Sequence, residues 1–165
     1  MRGRKLLLTK KVSIVVPVLD EAARLGGWLS RLRESAPTGE VEIIVVDGGS
    51  KDGTLALAQG SADQTLALGR AGRAFQMHQG ALAASGESIL FLHADTVLPA
   101  DWLNVLLRAW QSRPRPAATA FQLGFDHPAA FYRFIEKTAA WRTRLTGVPL
   151  GDQAIAVARE AYLAS

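Results

Sequence analysis

The chain has 165 residues and contains no cysteine. A chain of this length suits one domain with its own hydrophobic core. The absence of cysteine excludes a disulfide scaffold, a thiolate zinc site, a thiol nucleophile and an iron–sulfur cluster. Hydrophobic residues make up 48% of the chain and charged residues 21%, which excludes intrinsic disorder for most of it.

The formal net charge of +4 is concentrated at the N-terminus. Residues 12–165 hold 14 of the 19 bases against all 15 acids, a net charge of −1. The other five bases are Arg2, Arg4, Lys5, Lys10 and Lys11. We therefore predict a basic tail over residues 1–11, a domain over residues 12–165 and no nucleic-acid partner. A solvated tail is the preferred interpretation, and a contact with lipid headgroups or RNA is the alternative.

No apolar run reaches the length of a signal segment or a membrane-spanning helix. We expect a cytoplasmic protein with, at most, a weak peripheral contact with the inner membrane.

Residues 12–18 and 41–47 are nearly continuous β-branched runs, which predict two strands buried on both faces of a parallel sheet. Between them, apolar residues recur at helical spacing, and Asp20 is expected to cap that helix. Further along, we predict a helix from about Thr54, a strand at 65–68 and a helix at 71–84 with a glycine C-cap at Gly86. A strand at 89–92 and a helix at 101–111 follow.

This alternation predicts a single α/β domain, with a mostly parallel sheet and helices on both faces. After a proline-rich connector at 113–116, we predict a strand at 118–125 and a helix at 128–145 that is rich in aromatic and basic residues. Core packing is the preferred interpretation of these aromatics, and contact with a membrane-bound or anionic acceptor is the alternative.

Ligands of open parallel sheets bind beyond the carboxyl ends of the strands. Asp47 ends one predicted strand and precedes a glycine-rich loop, so its carboxylate can accept hydrogen bonds from a base N–H or ribose hydroxyls. A plain turn is the alternative, and helix capping is the preferred role of Asp52.

Two other strand ends carry charged residues. Asp95, two residues after His93, is placed to hold a divalent cation against a diphosphate, with capping of the next helix as the alternative. Arg70 and Arg73 open a helix and are placed to bind an anion, with simple surface charge as the alternative. Gln76 is interpreted as a packing or solvent-facing residue.

Four stretches taken together resemble the inverting glycosyltransferases of family 2, which have the GT-A fold. They are VSIVVPVLDEAARL, EIIVVDGGSKDGT, GRAFQMHQGALAASG and ILFLHADTVLP, in the family's order and spacing. The resemblance covers residues 12 to about 157. It is closest to a bacterial branch associated with radical-SAM or selenium-related gene neighbourhoods, through Thr146-Gly147 and Gly151-Asp152-Gln153.

The resemblance implies roles for the strand-end residues. Asp95 matches the last acid of the family's Asp-x-Asp motif, which binds Mn²⁺ or Mg²⁺, whereas His93 replaces its first acid. The implied nucleotide-binding residues are Pro17, Leu19 and Glu21 at the nucleoside, Asp47 at the base with Gly49 and Ser50 beside it, and Arg70 and Arg73 near the diphosphate.

The implied reaction transfers a sugar from UDP or GDP to an unidentified acceptor, either lipid-linked or a small molecule, with inversion. Such a transfer needs a general base. The family's C-terminal acidic pair is not found before Ser165, so we expect a C-terminally incomplete domain in which Asp152 is the candidate base. A loop-orienting role is the alternative for Asp152.

Two other functions stay open at this point. One is a nucleotide-sugar-binding domain without activity, which the His93 replacement and the missing acidic pair favour. The other is a sugar-phosphate nucleotidyltransferase, although the glycine-rich basic loop typical of those enzymes does not follow Val16.

Overall fold

The structure is a computed structural model that describes residues 11–36, 39–114, 116–125, 129–147 and 153–165. The elements are, in chain order, β1 (Val12–Val18), α1 (Ala22–Ser35), β2 (Val41–Asp47), α2 (Thr54–Ser61), β3 (Gln64–Ala67), α3 (Arg73–Ala83), β4 (Ser88–Phe91), α4 (Trp102–Gln111), β5 (Ala118–Ala120), α5 (Ala130–Thr146), β6 (Ile155–Ala158) and α6 (Arg159–Leu163).

The six strands form one sheet in the order β3-β2-β1-β4-β6-β5. The pairs β1–β2, β1–β4 and β2–β3 are parallel, whereas β6 is antiparallel to both β4 and β5. Val18 pairs with Asp47, so the carboxyl ends of β1 and β2 lie side by side. The predicted α/β class with a mostly parallel sheet is confirmed.

Hydrophobic cores cover both faces of the sheet. On one face, α1 and α4 pack their buried leucines and tryptophans on alternate residues of β1 and β2. On the other face, α3 packs on Val15, Ile44 and Val46, and Tyr162 of α6 packs near Phe91. Helices on both faces explain why the central strands read as continuous apolar runs, since both sides of each strand are buried.

Strand predictions were most accurate at the sheet centre. The ranges of β1 and β2 match the prediction, and β3 and β4 each begin and end one residue earlier than predicted. The strand predicted at 118–125 is limited to Ala118–Ala120. The sequence analysis did not find β6, because four residues of alanine, isoleucine and valine give no clear periodicity.

Two predicted helix caps are wrong. The N-cap residue of α1 is Glu21, and Asp20 lies before it with a φ of 52°, its side chain accepting a hydrogen bond from the amide of Lys51 at 2.8 Å. α3 ends at Ala83 with an extended residue after it, so Gly86 is not its C-cap. Gly86 instead allows close backbone approach, because a Cβ there would lie 2.7 Å from the amide nitrogen of Ser13.

Three of the four aromatic residues of α5 are also placed differently from the preferred prediction. Phe131, Phe134 and Trp141 are 65–67% exposed, so they do not pack in the core. α5 contacts the domain through its opposite side, where Ala139 is buried.

Within the described residues, no helix has the length and hydropathy to cross a membrane.

Candidate functional site

A cleft of about 440 Å³ opens at the carboxyl ends of β1 and β4 and the N-terminus of α3. Its volume is in the range of small-molecule sites. Six residues predicted from the sequence line it, namely Pro17, Leu19, Glu21, Arg73, His93 and Asp95. Residues separated by up to 78 positions in the chain thus meet because the parallel strands end at one edge of the sheet.

Asp47 lies behind this cleft and does not line it. Its side chain is 2% exposed, and one carboxylate oxygen accepts hydrogen bonds from the amides of Gly49 and Ser50, both at 3.0 Å. The other oxygen accepts from the Ser50 hydroxyl. The carboxylate therefore shapes the loop after β2. Because a carboxylate oxygen has two lone-pair sites, one acceptor site on the second oxygen remains.

Arg70, just before α3, and Arg73, at its start, occupy different surroundings. Arg73, the first residue of α3, lines the cleft together with Ala71 and Gly72. The N-terminus of an 11-residue helix and a guanidinium therefore face the same space, an arrangement that favours an anion. Arg70 lies outside the cleft lining, with its guanidinium carbon 4.1 Å from the centre of the Phe75 ring.

His93 and Asp95 lie in a turn that follows β4. The amide of Thr96 donates to the carbonyl of His93 at 3.0 Å, and the indole of Trp28 donates to the carbonyl of Thr96 at 2.8 Å. α1 therefore anchors the turn that presents Asp95. The alternative that Asp95 caps α4 is wrong, because the N-cap residue of α4 is Asp101.

The side chains of the cleft suit a metal ion that binds both to the protein and to the phosphates of a substrate. Within the ranges that the structure describes, no three His, Cys, Asp or Glu side chains are grouped as a metal site. The cleft offers the exposed carboxylate of Asp95 and the imidazole of His93. Mg²⁺ and Mn²⁺ commonly bind to one or two carboxylates and to substrate phosphates, which suits this limited donor set.

Two loops that border the site are interlocked by hydrogen bonds. The first amides of a helix lack partners within it. At the entry to α1, three successive amides donate to side chains from the loop after β2 and from the first residue of α2. The bonds are Asp20 N to Ser50 Oγ at 2.9 Å, Glu21 N to Thr54 Oγ1 at 2.8 Å, and Ala22 N to Asp52 Oδ2 at 2.9 Å. Because Leu19 and Glu21 line the cleft, the loop after β2 fixes one cleft wall.

Asp52 connects both helices that begin in these loops. Its second oxygen accepts from the amide and the hydroxyl of Thr54, at 3.1 and 2.5 Å. The Thr54 hydroxyl, followed by the amide of Ala22, holds the pKa of Asp52 below its usual value of 3.8. Asp52 therefore does more than the predicted capping of α2, because it also accepts a hydrogen bond from the amide of Ala22 at the start of α1.

Gln76 is a site residue whose role the sequence analysis missed. It is 3% exposed, so the packing interpretation is right and the solvent-facing one is wrong. Its amide nitrogen donates to the carbonyls of Val18 and Val46, both at 2.8 Å, and its oxygen accepts from the amide of Gly72 at 3.3 Å. Gln76 thus fixes the ends of β1 and β2 relative to the N-terminus of α3.

A second cavity of about 490 Å³ adjoins the turn that carries Asp95. It is lined by residues 96–99 and 121–124, with Gln153 and Ala154 at its far side. Gln153 is 4% exposed, and its amide nitrogen lies 3.4 Å from the carbonyl oxygen of Phe121. Asp152, the predicted general base, lies outside the described residues.

Comparisons with solved structures place the fold. The chain is similar to the mannosyltransferase PcManGT from Pyrobaculum calidifontis in complex with GDP-Man and Mn²⁺, with a TM-score of 0.71, 23% identity and coverage of 93% of this chain and 46% of that one. It is also similar to glucosyl-3-phosphoglycerate synthase from Mycobacterium tuberculosis in complex with Mn²⁺, UDP and glucosyl-3-phosphoglycerate, with a TM-score of 0.65, 22% identity and coverage of 92% and 57%. At these identities the likeness concerns the GT-A fold.

Sequence comparison gives the family. The chain is 26% identical over 142 residues to the uncharacterized glycosyltransferase YfnE of Bacillus subtilis (strain 168), covering 83% of this chain and 36% of that protein. The chain thus spans less than two thirds of the length of each of these relatives. The family described as glycosyl transferase family 2 matches residues 13–162. The chain therefore belongs to glycosyl transferase family 2.

Proposed function

We propose that the domain is an inverting glycosyltransferase that takes a sugar from a UDP- or GDP-sugar with the help of Mn²⁺ or Mg²⁺. One observation carries the proposal. Arg73 and the N-terminus of α3 border the same cleft as the carboxylate of Asp95. A diphosphate would suit both sides of the cleft. Its negative charge would pair directly with Arg73 and the helix N-terminus, and a divalent cation would bridge it to the carboxylate of Asp95.

The nucleoside would occupy the cleft wall formed by Pro17, Leu19 and Glu21. Asp47 would reach the base through the acceptor site left on its second oxygen, with Gly49 and Ser50 beside it. PcManGT binds GDP-Man and the mycobacterial synthase binds UDP, each with Mn²⁺, which supports a nucleoside diphosphate as the leaving group.

The chain's own residues would stabilise the departing diphosphate. Arg73 and the amides at the start of α3 would neutralise the charge that develops as the bond from the sugar to the diphosphate breaks. Asp95 and His93 would hold the metal ion, which supplies positive charge to the same leaving group when it is bound. Arg70 would sit near the diphosphate at the outer edge of the site.

The acceptor would enter from the second cavity, on the far side of the Asp95 turn. We assign the general base to Asp152. In the sequence this residue immediately precedes Gln153, which lines the second cavity. The acceptor is a lipid-linked or small molecule in this proposal, and the transfer takes place in the cytoplasm.

The proposal also covers the organisation of the chain. Residues 1–11 are a basic tail and residues 12–165 are the transferase domain. Within the family, we assign the chain to the bacterial branch with radical-SAM or selenium-related neighbourhoods, on the strength of Thr146-Gly147 and Gly151-Asp152-Gln153.

Calorimetric titration with UDP and GDP, with and without Mn²⁺, tests the nucleotide site. We expect Mn²⁺ to tighten binding, and we expect Asp95→Ala to remove that enhancement. Asp101→Ala is the matched control, since Asp101 is an exposed acid near the same loop but outside the cleft lining. Equal affinity of the unaltered protein with and without metal would contradict the metal-assisted mechanism.

Release of radiolabelled sugar separates an enzyme from a binding domain. We expect labelled sugar to be released from UDP- or GDP-sugars faster than in buffer, and Asp152→Asn to slow this release. Metal-dependent nucleotide binding without any release would instead identify a nucleotide-sugar-binding domain. Full turnover by Asp152→Asn would show that another group is the base.

A further inference from the structure

α5 carries a line of exposed apolar side chains. The apolar stripe consists of Phe131, Phe134, Trp141 and Leu145, each 65–67% exposed. At about 100° per residue, these four positions span about 80° of the helix circumference. The side of α5 that includes Ala139 and Glu136 faces the domain, and Glu136 accepts a hydrogen bond from the amide of Phe125 at 2.7 Å.

Basic side chains lie along one side of the apolar stripe. Helical geometry places Arg133, Lys137 and Arg144 on this flank. Arg142 lies on the other side, where one of its guanidinium nitrogens is buried. The one acid of α5 is Glu136, which pairs with Arg133 at 2.8 Å. With four bases and one acid, α5 has a net charge of +3. An exposed aromatic face beside a basic flank is the pattern of helices that lie in a membrane interface.

We propose that α5 binds to the surface of an anionic lipid bilayer, lying in the membrane plane with the apolar stripe among the headgroups. Charge decides between this partner and a second copy of the chain. Two stripes packed together would bring two helices of net charge +3 close to each other, which is unfavourable. An anionic surface contributes roughly 1 kcal/mol of attraction for each nearby Lys or Arg, and the stripe adds buried apolar area.

The domain-facing side of α5, opposite the apolar stripe, contacts the second cavity. Thr143 on α5 lies 3.4 Å from the side-chain oxygen of Gln153, and Gln153 lines the second cavity. Lipid binding by α5 does not rest on sugar transfer and can be measured without it. Together with the proposed function, it would bring the acceptor cavity close to a membrane surface.

Tryptophan fluorescence tests the proposal on the intact protein. The chain has four tryptophans, and Trp28, Trp102 and Trp110 are at most 7% exposed, so Trp141 alone can report contact with lipid. We expect brominated lipids in vesicles with about 30% phosphatidylserine to quench its emission. We expect much less quenching with phosphatidylcholine alone. Trp141→Phe should still bind to the anionic vesicles but lose the signal.

Charge reversal on the flank provides a second measurement. We expect Lys137→Glu combined with Arg144→Glu to lower the partition coefficient on anionic vesicles at least about tenfold. The matched control is Arg31→Glu with Arg108→Glu, which reverses two exposed bases on α1 and α4 and should change it less than about twofold. Thermal unfolding verifies that both variants are folded.

Three outcomes would overturn the proposal. Vesicle binding without quenching of Trp141 would assign the contact to the basic residues near the N-terminus. Equal partitioning into anionic and neutral vesicles would remove the charge argument. A dimer that shifts Trp141 emission to shorter wavelength without lipid, and that does not bind to vesicles, would assign the stripe to a second copy.

Discussion

Arg70 and Arg73 are three residues apart but lie in different surroundings. Arg73 lines the cleft, whereas Arg70 stacks on Phe75 outside it. We expect Arg73→Ala to weaken UDP or GDP binding at least about tenfold, since a charge-assisted hydrogen bond contributes roughly 1.5–3 kcal/mol. Arg70→Ala should weaken it less than about threefold, because that side chain lies at the outer edge of the site. Calorimetry at one fixed salt concentration compares the two, and equal losses would place both at the diphosphate.

Asp47 holds the loop after β2 and is also predicted to contact the base of the nucleotide. A substitution can separate these two roles. Asp47→Asn keeps one carbonyl oxygen for the amides of Gly49 and Ser50, so the loop should persist. A lost contact to the base should still weaken nucleotide binding by about tenfold, as expected for one hydrogen bond to a charged acceptor. Calorimetry measures the affinity, and thermal unfolding monitors the loop. Unchanged affinity would leave Asp47 as a loop residue only.

At the residue scale, the sequence revealed the charged strand-end residues better than the polar residues that hold them. Arg73 opens a helix and Asp95 follows an apolar run, so their type and position suffice, whereas the role of Glu21 follows only from the family resemblance. Gln76 could not be assigned, because its partners are carbonyls 30 and 58 positions away in the chain. Trp28 belongs to the apolar helical pattern between the first two strands, and the pattern does not show its hydrogen bond, because the carbonyl of Thr96 that its indole contacts is 68 positions away.

The interlocked loops make the start of α1 sensitive to acid through Asp52. Its pKa is lowered in the folded protein, so its contribution to stability is present above 3.8 and is lost as the pH falls through the folded-state pKa. We expect Asp52→Asn to be less stable than the unaltered protein at neutral pH, and the difference to shrink as the pH falls below 3.8. Urea unfolding at several pH values measures this. A difference that is constant with pH would contradict the ionic role.

Packing of α3 on the sheet depends on Gly80. A Cβ at this position would lie 2.9 Å from Cγ2 of Val46 and closer still to Val15, so Gly80→Ala should destabilise the fold by about 1–3 kcal/mol. The matched control is Gly27→Ala in α1, where no atom lies within 4 Å of the added Cβ. That change should stabilise the fold by about 0.5–1 kcal/mol through helix propensity. Urea unfolding measures both, and effects of the same sign would contradict this packing.

At the element scale, burial on both faces made β1 and β2 predictable, because a continuous β-branched run has few other interpretations. β6 pairs with β4 across more than 60 residues of chain, and its short run gives no local signal. For α5, the sequence predicted a helix but not which side would face the domain. The inner side is marked by small or polar residues such as Ala139, so aromatic content alone pointed to the wrong side.

For the whole molecule, we expect metal and nucleotide to stabilise the fold only together. The described residues contain no group of three metal-ligating side chains, so Mn²⁺ alone should leave the Tm unchanged. Mn²⁺ with UDP or GDP at about 100 times Kd should add roughly 2.7 kcal/mol, or about 5–10 °C in Tm. Thermal scans measure this, with Mg²⁺ and Ca²⁺ as comparison ions. A similar shift with Mn²⁺ alone would indicate a metal site that the protein completes by itself.

The position of β6 between β4 and β5 has a consequence for how the protein is made. The residues that line the first cleft all lie between Pro17 and Asp95, and their strands pair within residues 12–91. The second cavity also needs Gln153 and Ala154, just before β6. During synthesis on the ribosome, the lining of the first cleft therefore emerges almost sixty residues before the last wall of the second cavity. The order of the two half-sites along the chain is also the order in which they can form.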